Sequence, residues 1–370
     1  MAGEWNYLAG RIDGDGYIDI VETELPIKIG QIGQSLSTPS TMSGTITNEV
    51  RRLKVAGEPI FQPWRTVIIA EAAGEIRGMG IYQKPQFTGP NWEIETLSFG
   101  GYPMGMPYDG SIYFIDTDPL DIFRHIWDHL QSQPGGNLNV TMDPTKSPVR
   151  VGKQVEGVNF VTGAGETVAF EAGPRKLSWY LTDDLGKEIN DYAKETPFDW
   201  LESLSWQNDQ PHCHLRLGYP QIGERRDDFR LVYGENLAAI PSVTEGDRYT
   251  EVIVRGAGEG RDAVRGRALS PGGLRRVRSV EDKSQKTVGG ATALAQRTLA
   301  GLRGGRLVDT LEVWDHPNAP IAAIEPGMEL PLYAELDHIE LDTFVRVVSK
   351  ESAPDRSDRA TLTVVGRDTA

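Results

Sequence analysis

The sequence predicts a mainly β protein of the α+β class: two related β-barrel-like modules with a mixed α/β insertion between them. Two observations carry this. First, Glu58 to Gly105 holds three apolar runs, Arg65–Ala70, Gly78–Tyr82 and Trp92–Phe99, punctuated by Gly74, Pro85, Gly89 and Pro90. Trp92 and Ile94 alternate with Glu93 and Glu95, the period of a half-buried strand, and no run sustains helical spacing. Second, the order returns at Ile324–Gly366. A strand ending in Ala334-Glu335 matches one ending in Ala70-Glu71, Phe344–Val348 matches Met79–Gln83, and Leu362–Gly366 matches Leu97–Gly100. We read a duplicated antiparallel meander, one copy at each end, and expect the copies to superpose.

The remaining elements follow in order. Tyr17–Ile32 reads as two short strands broken near Pro26, and a Ser/Thr/Gly/Pro-rich loop, Gly33–Glu49, leads into a strand at Gly44–Thr47. This closes the first module at 1–107. Asp116–Gln133 is a helix, with Asp118 as N-cap, Pro119 at the first position and one apolar stripe of Leu120, Phe123, Ile126, Trp127 and Leu130. Trp179–Leu181 reads as a strand, and Asp183 or Asp184 caps a helix through Tyr192. Thr196-Pro197 repeats the cap-then-proline start for a short helix through Leu204, and His214–Leu217 alternates as a strand. The insertion is therefore 108–233. The second module, 234–370, begins with a strand at Thr250–Arg255 and carries a basic loop and a helix within 255–303. That helix opens at Ser284, runs to about Leu302 and ends at Gly304-Gly305; Leu307–Trp314 is the next strand.

Composition narrows the function classes. Acidic residues number 53 against 38 basic, a net charge of −15, which argues against nonspecific nucleic-acid binding by the chain as a whole. One cysteine, Cys213, excludes an intrachain disulfide framework. Met1–Gly16 has no basic region followed by an apolar one, so no signal peptide is expected, and no apolar run approaches the ~18 residues of a membrane span.

Local motifs give no catalytic centre. With Gly16 as loop glycine, Asp13, Asp15, Ile18 and Glu22 fall on calcium-loop positions, but the first ligand position is Arg11; a hairpin turn is the better reading. His125 and His129 are spaced for a metal, and His212, Cys213 and His214 offer further ligands, yet Ile126 stands where a zinc protease carries its base. We expect structural histidines and no bound metal. Gly256–Gly260 follows a strand without the helix opening of a nucleotide loop. No carboxylate pair or nucleophile elbow is marked, so no enzyme and no cofactor are expected. Arg255, Arg261, Arg265, Arg267, Arg275, Arg276 and Arg278 stand against Glu259 and Asp262 alone, locally +5. This stretch reads as a solvated, mobile loop that also suits an acidic partner surface, including that of a second copy.

Several stretches together resemble one family. They are Ser35–Thr47 (SLSTPSTMSGTIT), Arg77–Tyr82 (RGMGIY), Phe99–Tyr108 (FGGYPMGMPY), Asp118–Ser132 (DPLDIFRHIWDHLQS), Thr196–Trp200 (TPFDW) and Gly218–Arg226 (GYPQIGERR). Gly234–Asn236 (GEN), Arg255–Gly260 (RGAGEG), Leu274–Arg278 (LRRVR) and Asp315–Pro320 (DHPNAP) complete the set in order over nearly the full length. The pattern is similar to minor tail proteins of siphophages infecting actinobacteria, of the mycobacteriophage type. It departs at Glu325–Glu329, where the family often has an acidic Gly-Asp turn. The resemblance implies a non-enzymatic virion protein of the tail-tip or baseplate hub. Two barrel-like domains per chain and three chains would form a pseudo-sixfold ring that continues the tail tube on the DNA-ejection path. The implied partners are two further copies, the distal tail protein, the tape measure protein and other minor tail proteins, with no membrane insertion and no sequence-specific nucleic acid. Assembly in the host bacterial cytoplasm follows from the same resemblance. The rival readings are a tail-associated cell-wall hydrolase and a carbohydrate-binding receptor module. The basic stretch is expected near a chain–chain interface or the lumen.

Overall fold

Val67, Ile68, Ile69 and Ala70 are all fully buried, which a strand with one solvated face does not allow. The computed structural model, which describes residues 5–367 apart from 84–85, 90, 153–154, 162–166, 173, 197, 240, 242, 246–248, 271, 284, 301, 303–305 and 337–338, shows why. The first module comprises β1 (Trp5–Ile12), β2 (Ile18–Glu22), β3 (Lys28–Ser35), β4 (Thr41–Thr47), β5 (Thr66–Ala72), β6 (Glu75–Tyr82) and β7 (Asn91–Leu97). Ile68 and Ala70 join Ile29, Met42, Ile46 and Tyr82 in one core, while Val67 and Ile69 face the insertion through a second. Pro85 and Pro90, read as turn signals, lie outside the described residues. The Asp13–Gly16 stretch is the β1–β2 hairpin turn. Gly14 sits at φ 75° against the Gly135 carbonyl, where a Cβ would have no room.

The insertion packs on the outer face of that sheet. It contains β8 (Ser111–Phe114), α1 (Pro119–Ser132), β9 (Thr141–Met142), β10 (Arg175–Ser178), α2 (Leu185–Glu195), β11 (Asp199–Gln207) and β12 (Gln210–Gly218). The caps are as expected: Asp118 accepts from Leu120 N, and Asp184 from Lys187 N. Two expectations fail. Thr196–Leu204 is no helix, because β11 pairs antiparallel with β12 across a two-residue turn. Asn208 and Asp209 hold φ of 50° and 60°, the left-handed pair of a tight hairpin, which sequence reading passed over. Pro197 lies outside the described residues. Trp179–Leu181 is a turn, not a strand; the strand is β10, immediately before it.

Further along, β13 (Leu231–Val232) precedes a small unit of β14 (Glu251–Arg255), β15 (Arg265–Leu269), β16 (Val277–Glu281) and α3 (Val288–Ala300). The unit has its own core of Val252, Val254, Ala268, Ala291, Ala295 and Leu299. Gly266 brings β15 so close to α3 that an added Cβ would lie 2.1 Å from the Ala291 backbone. Ser284 and Gly304-Gly305, the expected helix limits, lie outside the described residues.

The second meander is β18 (Glu329–Leu336), β19 (Ile339–Ser352) and β20 (Arg359–Arg367), flanked by β17 (Thr310–Trp314) on β20 and by β13 on β18. The first meander is flanked at the corresponding places, by β4 on β7 and β1 on β5, but β1 runs antiparallel to β5 whereas β13 runs parallel to β18. Neither closes as a barrel. The strands instead run in one open sheet, β13-β18-β19-β3-β4-β7-β6-β5-β1-β2. The cause is the length of β19, 14 residues. Beyond Val347 it outruns β18, and the vacated edge is taken by β3, with Ser349–Ser352 in register with Ile32–Ser35.

Candidate assembly surfaces

The basic stretch is a sheet face, not a mobile loop: β14 lies between β15, antiparallel, and β16, parallel. Period two sorts its residues. Gly266 and Ala268 point to α3, while Arg265, Arg267 and Leu269 point to solvent, a pattern legible in the sequence and missed there. The seven arginines divide by partner. Arg267 and Arg275 clamp the Glu251 carboxylate at 2.6 and 2.7 Å and cover it completely. Arg275 first, then Arg267, holds that carboxyl below the usual carboxylate range. Arg276 and Arg278 lie 4.5 and 5.9 Å from the Tyr249 ring centre. Arg255 donates to Ser279 Oγ. Arg255, Arg261 and Arg265 are exposed and have no carboxylate partner among the described residues.

A second surface is apolar. Tyr113, Ile115, Trp179, Tyr180 and Leu181 are each more than half exposed. The turn that carries them is pinned: Trp179 N donates to Gly110 O, Leu181 N and Thr182 N to Ser178 O, and Ser178 N to Thr182 Oγ1. Lys176 lies over the Tyr113 and Tyr180 rings at 5.0 and 4.5 Å.

The histidines form two separate, hydrogen-bonded pairs. His125 Nε2 is 3.0 Å from Tyr108 Oη, and His129 Nε2 accepts from Asp109 N. Thr141 Oγ1 lies between His212 Nε2 at 3.2 Å and His214 Nδ1 at 2.7 Å, and Asp143 holds His214 Nε2 at 2.9 Å. Burial pushes the imidazoles of His125, His129 and His212 down and the Cys213 thiol up. Among the described residues no group of three His, Cys, Asp or Glu is placed to hold a metal. Asp13 is taken by Arg65 at 2.7 and 3.3 Å, so it faces a guanidinium rather than a cation site.

A groove of about 600 Å³ runs between the two modules and β11. Lys350 is recessed in its wall and donates to Ile324 O at 2.7 Å. Burial, reinforced by Arg77 and opposed by Glu325, lowers its pKa to about 8. An unfolded lysine titrates near ~10.4, so from about pH 8 to that value the unfolded chain binds the extra proton and stability rises with pH. Denaturant unfolding across this window should show the rise in the wild type and lose it in Lys350→Met. Equal slopes in the two proteins would remove the assignment.

No protein-family model matches the chain, and no curated protein matches it in sequence. Solved structures do match in fold. The 43 kDa tail protein of prophage MuSo2 from Shewanella oneidensis aligns at TM-score 0.57 and 14% identity, over 98% of both chains. Prophage tail protein gp18 from Listeria monocytogenes EGD-e aligns at 0.55 and 11%, over 99% of this chain and 95% of that one. The tail protein from Neisseria meningitidis MC58 aligns at 0.55 and 12%, over 98% and 97%. The chain thus shares, from end to end, the fold of these three tail proteins.

Proposed function

We propose that this chain is a structural component of a phage tail, in the hub ring at the tail tip below the tail tube, of the kind carried by siphophages of actinobacteria. The observation that carries the reading is the end-to-end match to three tail proteins at such low identity. Two antiparallel meanders per chain, each with a further strand on its first and on its last member, support a ring in which three chains present six similar surfaces. In this reading the chain assembles in the host cytoplasm and contacts its own copies, the distal tail protein, the tape measure protein and other minor tail proteins. It holds no catalytic role, and Arg255, Arg261 and Arg265, which have no carboxylate partner among the described residues, meet acidic groups of another chain, whereas Arg267 and Arg275 serve Glu251 within the chain. A density map of the assembled particle tests this: three copies in the tip ring are expected, and six copies, one, or none overturns it.

The exposed aromatic patch favours one second reading, a carbohydrate contact, since Trp179 and two tyrosines stand exposed around the Lys176 amine. Host cell-wall polysaccharide should then retain the wild type on a column and release Trp179→Ala; equal elution excludes it.

A further inference from the structure

We propose that β11 is a docking edge: an extended segment of another protein chain, carrying one carboxylate, adds to it as a strand within the groove between the modules and sets that carboxylate on Lys350. β11 pairs with β12 alone, so its far edge is open. Trp200 fixes which backbone groups point there. Its N–H donates to Ser37 Oγ at 3.3 Å and its C=O accepts from Ser37 N at 2.8 Å, both away from β12. The alternation of an antiparallel ladder then turns the N–H and C=O groups of Glu202, Leu204 and Trp206 the same way. Leu201 to Trp206 line the groove without a break, so these groups face it. They make no backbone hydrogen bond on that side among the described residues.

Strand edges that stay single are blunted by charge, proline or brevity. β2 carries Asp19 and Glu22, β15 Arg265 and Arg267, and β16 Arg278 and Glu281. Between Leu201 and Trp206 the one charge is Glu202, and it is turned inward, 3% exposed, accepting from Gly100 N and Ser40 N. Nothing in this run repels an added strand.

The groove selects the occupant. Its volume, about 600 Å³, is in the range that holds a ligand of a few residues. Trp5, Ile76 and Leu204 give it apolar lining for alternate side chains of a strand. Its cations divide by partner. Arg77 is held by Glu75 at 2.5 Å, Arg216 by Glu325 at 2.7 Å and Arg359 by Glu312 at 3.1 Å. Lys350 donates only to carbonyls, Ile324 O at 2.7 Å and Ile321 O at 3.4 Å, and no carboxylate lies within ion-pair distance of it among the described residues. A recessed ammonium without a counter-charge gains from an incoming carboxylate, which makes a charge-assisted hydrogen bond there.

The test is calorimetric titration of the purified full chain with a capped seven-residue peptide of alternating valine and threonine and a central glutamate. The peptide should bind. Glutamine in place of the glutamate should weaken binding about tenfold in the wild type and make no difference in Lys350→Met. N-methylation of alternate peptide residues removes the donors of one edge and leaves the protein intact: one parity should lose binding tenfold or more and the other keep it. A peptide that does not bind, equal affinity for glutamate and glutamine in the wild type, or loss in both parities or in neither each overturns the proposal. So does sedimentation showing that the chain pairs with itself and that the pair excludes the peptide, which would assign the edge to a second copy. All of these measurements use the isolated chain, so they stand apart from the particle map.

Discussion

Replacing Asp199 by alanine is expected to destabilise the protein by roughly 3–5 kcal/mol, the cost of orphaning a buried charge. Asp199 opens β11, yet its carboxylate ties three parts of the chain together. Oδ2 accepts from Arg346 of β19 at 2.5 Å and from Ile222 N at 2.9 Å, and Oδ1 accepts from Ser37 Oγ at 3.4 Å. Arg346 in turn donates to Ile222 O and Gly327 O. The two side chains are only 15% and 17% exposed, so water replaces little of what is lost. Removing both charges should cost less than removing Asp199 alone, because no unpaired guanidinium is left in the junction. Urea unfolding of Asp199→Ala, Arg346→Met and the double variant measures this. A double variant as damaged as the sum of the singles would show that the pair is not coupled.

Trp127→Ala should be of similar severity, about 3–5 kcal/mol, for a different reason. Trp127 lies on α1, fully buried in the core that joins the insertion to the first module. Truncation leaves a cavity bounded by rigid elements, α1 on one side and the β5–β6 sheet on the other, which relax only in part. The indole N–H has no hydrogen-bond partner among the described residues. Trp127→Phe therefore removes an unmet donor while keeping most of the ring, and should cost far less than alanine. Thermal unfolding compares the three proteins, and an alanine variant as stable as the phenylalanine one contradicts the packing argument.

How much of this was legible in the sequence depends on the range of the signal. The meanders were, because period two and turn residues are local, and so was α1, because its cap and proline lie beside its apolar stripe. The β11 strand was not. Its opening imitates a helix cap, and only the Asn208-Asp209 turn and the pairing with β12 decide otherwise. Barrel closure was expected from the duplication, yet β19 spends its free edge on β3, more than three hundred positions away in the chain. Among the candidate groups, the arginines were found as a charge run, but the run cannot tell Arg267 and Arg275, which serve Glu251, from Arg255 and Arg265, which do not. Asp199, Glu202 and Arg346 gave no signal at all. Glu202, for instance, is recognisable only by what it receives in space, the N–H groups of Gly100 and Ser40.

The β19–β3 seam has a mechanical consequence. Two modules joined by a linker would swivel against each other. Here the joint is a run of antiparallel backbone ladder, Ser349–Ser352 on Ile32–Ser35. Load on either module passes through it in shear, and any relative rotation must break several hydrogen bonds at once. Each chain should therefore move as one stiff block, its two modules turning together rather than against each other.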